Sequence, residues 1–167
     1  MSGMGSAVSL AIEGTMTYAD NGVTDEVEPI NWQASSNTFI QHQLSTSGTG
    51  TGQVKMFQKD GTQSSVQGAD NQYAPGIDVP FSWVSAHTAT DLDGASDGVS
   101  TSSASPSSLP ALATTDLVIG SIIMGNIKRV RMWNEFLDEE ARITVTGGTY
   151  TPPVGGVFPF TFPITLS

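Results

Sequence analysis

Cysteine is absent from the 167-residue chain, so no disulfide or thiolate metal centre braces the fold. Stability must come from packing, strand pairing or assembly with other chains. Charge is scarce as well. Only 13% of residues are charged, and Lys+Arg 6 against Asp+Glu 16 leaves a formal net charge of -10. An acidic chain of this kind repels phosphate backbones and anionic membrane faces, which points away from nucleic acid and membranes as partners. No stretch reaches the ~20 apolar residues that a membrane span needs. The opening MSGMGSAVSLAIEG lacks the basic leader and long apolar core of a signal peptide. Helical periodicity is missing too, except in one window near Asp138.

What is present is a series of short alternating segments separated by turn residues. Val8, Leu10, Ile12, Met16 and Tyr18 fall on alternate positions around Gly14 and predict a long strand with one buried face. Asn21-Gly22 marks a turn in an acidic loop. Ile30 and Trp32, then Phe39 to Leu44, continue the pattern, and Ser45 to Gly52 reads as a flexible loop with nothing apolar to bury. Gln53 to Gln58 and Thr62 to Gln67 flank Asp60-Gly61 and predict an antiparallel hairpin. Ile77 to Ala89 places Phe81, Trp83, Ser85 and His87 on one face, with Pro80 marking a strand edge or a bulge. Asp93-Gly94 and Asp97-Gly98 signal a second hairpin, and Asp116 to Ile123 reads as a buried strand. Strands about 10 residues apart with turn signals between them predict an all-β, two-sheet antiparallel jelly-roll sandwich.

Gly125 to Ala141, GNIKRVRMWNEFLDEEA, predicts a strand followed by one short helix capped by Asp138, with Glu139 and Glu140 in its first turn. Gly125, Ile127, Lys128, Arg129, Trp133, Asn134, Leu137 and Asp138 resemble the last strand and helix of the concanavalin-A-like lectin/glucanase (laminin-G-like) jelly rolls. The resemblance covers about Ser6 to Arg142 and is strongest to the versions found in virion proteins of tailed phages. It implies the jelly-roll fold, in a family that includes lectins, glycosidases and scaffolds alike. The paired acids of its glycosidases, an ExDxxE-like run, do not occur here.

Candidate chemistry is sparse, and each candidate has a structural alternative. Asp91, Asp93 and Asp97, with Asp70 or Asp78, offer oxygens to a calcium ion, although two Asp-Gly hairpin turns explain the same residues. No other cofactor is indicated. Glu13 is the only acid inside a well-defined strand, so the facing carboxylates of sugar hydrolysis are missing. His42 and His87 lie in strands without a patterned nucleophile nearby and read as structural. Trp32, Trp83 and Trp133 are candidate sugar platforms, with Trp83 and Trp133 fitting a core better. Tyr73, in the loop ADNQYAPG, is the expected exposed glycan contact. Lys128, Arg129 and Arg131 form a basic trio that suits an acidic neighbour or a solvated strand face.

Composition changes after Gly148, dividing the chain into a sandwich over 1–148 and an extended Pro/Phe-rich arm over 149–167. Phe158, Phe160, Phe162, Ile164 and Leu166 alternate, while Pro159 and Pro163 forbid a helix. Such a ribbon must cover something, either its own domain as an edge strand or a neighbouring subunit as an assembly arm. These features together predict a binding or structural module and not an enzyme. The leading expectation is a homo-oligomeric virion surface protein of a tailed phage: a capsid decoration, cement, turret or head-fibre subunit that contacts the major capsid protein on the particle exterior. The alternative is a tail or tail-fibre carbohydrate-binding module that recognises host-surface glycans.

Overall fold

The alternation of Val8, Leu10, Ile12, Met16 and Tyr18 is realised as strand β1 (Ala7–Tyr18), with all five side chains buried. In the computed structural model, which describes residues 5–20 and 27–147, β1 is followed by β2 (Val27–Ser35), β3 (Thr38–Leu44), β4 (Val54–Asp60) and β5 (Thr62–Gln67). Then come β6 (Gly76–Thr88), β7 (Leu92–Ser96), β8 (Val99–Ser100), β9 (Leu117–Ile122), β10 (Gly125–Trp133) and the helix α1 (Glu139–Thr146). The strands form two five-stranded antiparallel sheets, ordered β10-β1-β6-β7-β8 and β5-β4-β3-β2-β9. This is the jelly-roll sandwich expected from the sequence. Trp83, Leu10, Ile12, Ile40, Met56 and Leu92 fill the space between the sheets.

The break at Gly14 has a steric cause. The register between β1 and β10 shifts at Glu13/Gly14, and a Cβ on Gly14 would stand 2.1 Å from the Asn126 carbonyl oxygen. Only glycine lets the two backbones approach so closely. Pro80 is placed as expected. It pairs with Thr15 of β1, whereas β7 joins the other flank of β6 only from Trp83 onward, so proline removes no ladder bond there.

α1 lies against the outward face of the first sheet. Asp138 caps it by accepting a hydrogen bond from Ala141 N at 2.8 Å. Val145 and Leu137 pack on Ala11, Val84, Ala95 and Trp133, a second and smaller apolar cluster. Arg142, almost fully buried, ties the helix to β7 through Asp93 at 3.2 Å.

Three expectations are corrected. The segment Asp116 to Ile123 is not a strand buried on both faces. β9 is a sheet edge, paired only with β2 among the described strands, with Val118 and Ile122 exposed. A continuous apolar run does not distinguish these two cases. Asp93-Gly94 is no turn, because it sits inside β7, where a Cβ on Gly94 would press on Met56 Sδ and Thr101 Oγ1. The hairpin is made by Asp97-Gly98, both at positive φ. The loop Ser45 to Gly52 is held at its neck by Ser45 N to Gln53 O and Gly52 N to Ser45 O, with Ser45, Thr46 and Thr51 buried. The turn Asn21-Gly22, the arm residues Phe158, Phe160, Phe162, Ile164 and Leu166, and the domain boundary at 148 all lie outside the described residues.

Candidate functional site

Because α1 covers the first sheet, the outward face of the second is the broad surface that the described elements leave open. Alternation decides what it carries. β3 and β4 turn Ile40, His42, Leu44, Val54, Met56 and Gln58 inward, which leaves Phe39, Gln41, Gln43, Lys55, Phe57 and Lys59 pointing out. The register aligns these across strands. Val118, Asn31, Gln41, Phe57 and Ser65 form one row spanning all five strands. Gln33, Phe39, Lys59 and Gln63 form the row beside it. On the other side, Lys55 stands between Gln43 and Gln67, and Ile122 is paired with Glu28. With strands about 4.8 Å apart, a row of five is about 19 Å long, the scale of a short oligosaccharide.

The centre of this face is a polar network. Glu28 is only 7% exposed, and its carboxylate accepts from Asn31 Nδ2 at 2.8 Å and from Gln43 Nε2 at 3.2 Å. Gln43 Nε2 also lies 3.4 Å from Gln41 Oε1. Asn31 Oδ1 is buried and has no hydrogen-bond partner within the protein, an acceptor left over once the amide hydrogens serve Glu28. Amides held in fixed orientations offer donors and acceptors to hydroxyl groups. Phe57 adds a half-exposed apolar plane, Val118 and Ile122 an apolar margin, and Lys55 and Lys59 two of the chain's six cations. No local motif in the sequence marks this set. Its one signal is the excess of glutamine at outward strand positions.

A second constellation is closed to solvent. Ser85 Oγ lies 2.5 Å from His42 Nε2 and 2.7 Å from His87 Nε2, and all three residues are fully buried between the sheets. Neither histidine has a patterned nucleophile beside it in the sequence, yet Ser85 shares its face with His87 two residues on and meets His42 from the opposite sheet. Burial lowers both imidazoles to about 3, and for His87 the neighbouring His42 adds to the effect. Both rings are neutral, and a sealed neutral Ser-His pair has no route to substrate. Its role is to join the two sheets.

Tyr73 is not an exposed glycan contact. It is 4% exposed, its hydroxyl accepts from Trp83 Nε1 at 2.8 Å, and its carbonyl accepts from Tyr18 Oη at 2.6 Å. Burial, then Asp97, raises the pKa of its phenol. Loop residence did not imply exposure because the ring turns inward onto Trp83. The calcium candidates do not converge. Asp91 bonds Thr88 and Thr90, Asp93 pairs with Arg142, and Asp97 caps Ser82 N at 2.8 Å. Asp70 bonds Gln53, while Asp78 holds a positive φ at the start of β6. Among the described residues no group of three or more acids and histidines could hold a metal ion. Trp32, Trp83 and Trp133 are core residues. In the basic trio, Arg129 and Arg131 reach Glu13 at 3.2 and 3.8 Å, and Lys128 is exposed at the bulge.

No protein-family model matches the sequence, and no curated protein matches it. Solved structures match the fold. The leech intramolecular trans-sialidase complexed with 2,7-anhydro-Neu5Ac superposes with a TM-score of 0.65 at 14% identity, over 89% of this chain and 24% of that one. The chain therefore spans about a quarter of that enzyme's length. The CBM40 of the Ruminococcus gnavus IT-sialidase, bound to α2,6-sialyllactose, matches with a TM-score of 0.61 at 13% identity, over 85% of this chain and 84% of that one. A heptameric SAP-like pentraxin from Limulus polyphemus matches with a TM-score of 0.61 at 9% identity, over 84% and 70%. At these identities the likeness is one of fold, the lectin-like jelly roll.

Proposed function

We propose that the protein is a carbohydrate-binding module that holds glycans on the outward face of the β5-β4-β3-β2-β9 sheet. The observation that carries this reading is the row Val118, Asn31, Gln41, Phe57 and Ser65 beside the buried Glu28 carboxylate. Sugar hydroxyls would pair with the amides, and the C–H face of a ring would lie on Phe57. The sialyllactose-bound CBM40, which this chain matches over most of both lengths, supports the same class of ligand. The reading is of binding, since the Ser-His pair is sealed and, among the described residues, Asp91, Asp93 and Asp97 each bond to a different partner. A glycan array of the intact protein, followed by titration calorimetry with Phe57→Ala and Asn31→Ala variants of unchanged circular dichroism, tests it. Binding that falls at least tenfold in both variants supports the site; a blank array for the intact protein overturns it.

A second reading places the module on the exterior of a tailed-phage virion, as a decoration or fibre subunit in contact with the major capsid protein. What supports it is the resemblance of the segment Gly125 to Asp138 together with the uncharged Phe/Pro arm. Deleting residues 157–167 should abolish incorporation into particles, and normal incorporation of the truncated chain would remove the arm's role in assembly.

A further inference from the structure

Ile77 at 81% and Met124 at 70% are the most exposed large apolar side chains among the described residues, and they stand on either side of the end of β1. Tyr18 pairs with Gly76 of β6 and Met16 with Gly125 of β10, so Ile77 and Met124 approach from the two strands that flank β1, about 10 Å apart. Ile77 is held outward by the backbone. Asp78 adopts a φ of 54° and its N–H donates to Thr17 Oγ1 at 3.1 Å, and the accompanying register shift ejects Ile77 from the inward series Val79, Phe81 and Trp83. A non-glycine residue in the left-handed region is strained, so this outward placement is imposed by its surroundings. Between the two side chains lies a mainly apolar cleft of about 600 Å³, walled by Thr17, Tyr18, Ala19 and Pro75, with the Asp20 carboxylate as its one charged group.

We propose that this cleft seats the chain's own C-terminal segment, with Phe158, Phe160 and Phe162 covering Ile77 and Met124. The described chain ends in the right place. Gly98 N donates to Thr146 Oγ1 at 2.9 Å, and Asp97 N donates to Ser82 O, so Gly147 stands beside the middle of β6. From Ser82 to Ile77 is five residues, about 17 Å of strand. The way runs along the flank that β7 leaves unpaired. Residues 148–157 can span up to about 33 Å, enough to reach the cleft within one molecule. The segment after Gly147 carries no charged side chain, so seating it adds no side-chain repulsion to a chain of net charge -10. Pro80 on the open flank and Pro159 and Pro163 in the segment all lack an N–H, which makes the contact one of side chains and not of strand addition. This inference is independent of the glycan reading, because the cleft and the open sheet face are separate surfaces, and it competes with the use of the same segment to contact a neighbour in the second reading.

A photoactivatable phenylalanine analogue in place of Ile77 in the full-length chain tests the seat. Irradiation should join position 77 to a peptide within 157–167 on the same molecule, with a yield independent of protein concentration. Hydrogen exchange gives a second readout in the unmodified chain. Amides of 157–167 should exchange at least tenfold more slowly than a random coil, and Ile77→Asp with Met124→Asp should abolish that protection while β1 and β6 keep theirs. Crosslinks only between chains, crosslinks that miss 157–167, or an unprotected segment would each overturn the proposal.

Discussion

His87 Nδ1 lies 2.9 Å from Gln58 Oε1, and this contact fixes the direction of every hydrogen bond in the buried chain between the sheets. Gln58 Nε2 donates to the carbonyls of Thr88 and Ser108, so its Oε1 is the acceptor and His87 Nδ1 must carry the proton. His87 Nε2 then accepts from Ser85 Oγ, and Ser85 accepts from His42 Nε2. His42 Nδ1 is left as a bare buried acceptor without a partner. The chain is complete only when the His87 ring is neutral, and a proton on His42 Nδ1 would be a buried charge with no acceptor to receive it.

Stability should therefore fall with acid. Both folded histidine values are lowered to about 3 from an ordinary 6.5, so between those limits the unfolded chain takes up protons that the fold does not. The contribution is fully present above pH 6.5 and is lost progressively as pH drops below it toward 3. Asp97, raised by burial, offsets part of this at the acid end. Urea midpoints measured from pH 7.5 to 4.5 should trace this slope, and a flat profile would contradict the neutral pair.

Replacing Ser85 by alanine should cost about 2–4 kcal/mol. The substitution strands the His42 donor and the His87 acceptor together in a dry core. Chemical denaturation should show a lower midpoint with an unchanged slope, and a loss under 0.5 kcal/mol would mean that the chain is not continuous.

Gly14→Ala should destabilise by about 1–3 kcal/mol, because the neighbour at 2.1 Å is backbone and not a side chain that can swing aside. The same substitution at Gly61, where a Cβ meets nothing, should cost less, leaving only the penalty of its positive φ. Melting temperatures of the two variants side by side check the order.

Glu28→Gln should weaken glycan binding at least tenfold while lowering stability by only about 1–2 kcal/mol. The new amide nitrogen would confront the donor of either Asn31 or Gln43 while the remaining oxygen serves the other, and the network must rotate to accommodate it. Calorimetric titration of the variant that retains its sheet spectrum separates the two effects.

Local signals in the sequence proved reliable where the physics is local. The alternation of β1, the Asp60-Gly61 hairpin and the Asp138 cap each rest on neighbours within a few residues, and each stands in the structure. Tyr73 and β9 show where locality ends. Whether a loop tyrosine turns inward depends on Trp83, 10 residues away, and whether an apolar strand is central or at an edge depends on how many partners it finds. The open sheet face was invisible for the same reason. Asn31, Gln41 and Phe57 are ordinary polar or apolar positions along their own strands, and only the cross-strand register places them in one row.

The position of β1 also governs when the sandwich can form. Its partner β10 lies more than a hundred residues further along, in pairs such as Ser9 with Trp133, and Ser9 Oγ donates to the Glu135 carbonyl at 2.7 Å while accepting from Leu137 N. Closing so long a loop precedes any return from the contacts it creates, which places this topology among the slow folders. During synthesis the edge of β1 that β10 will occupy therefore stays unpaired until residue 133 has emerged, an open strand edge available to other chains for most of the time the protein is being made.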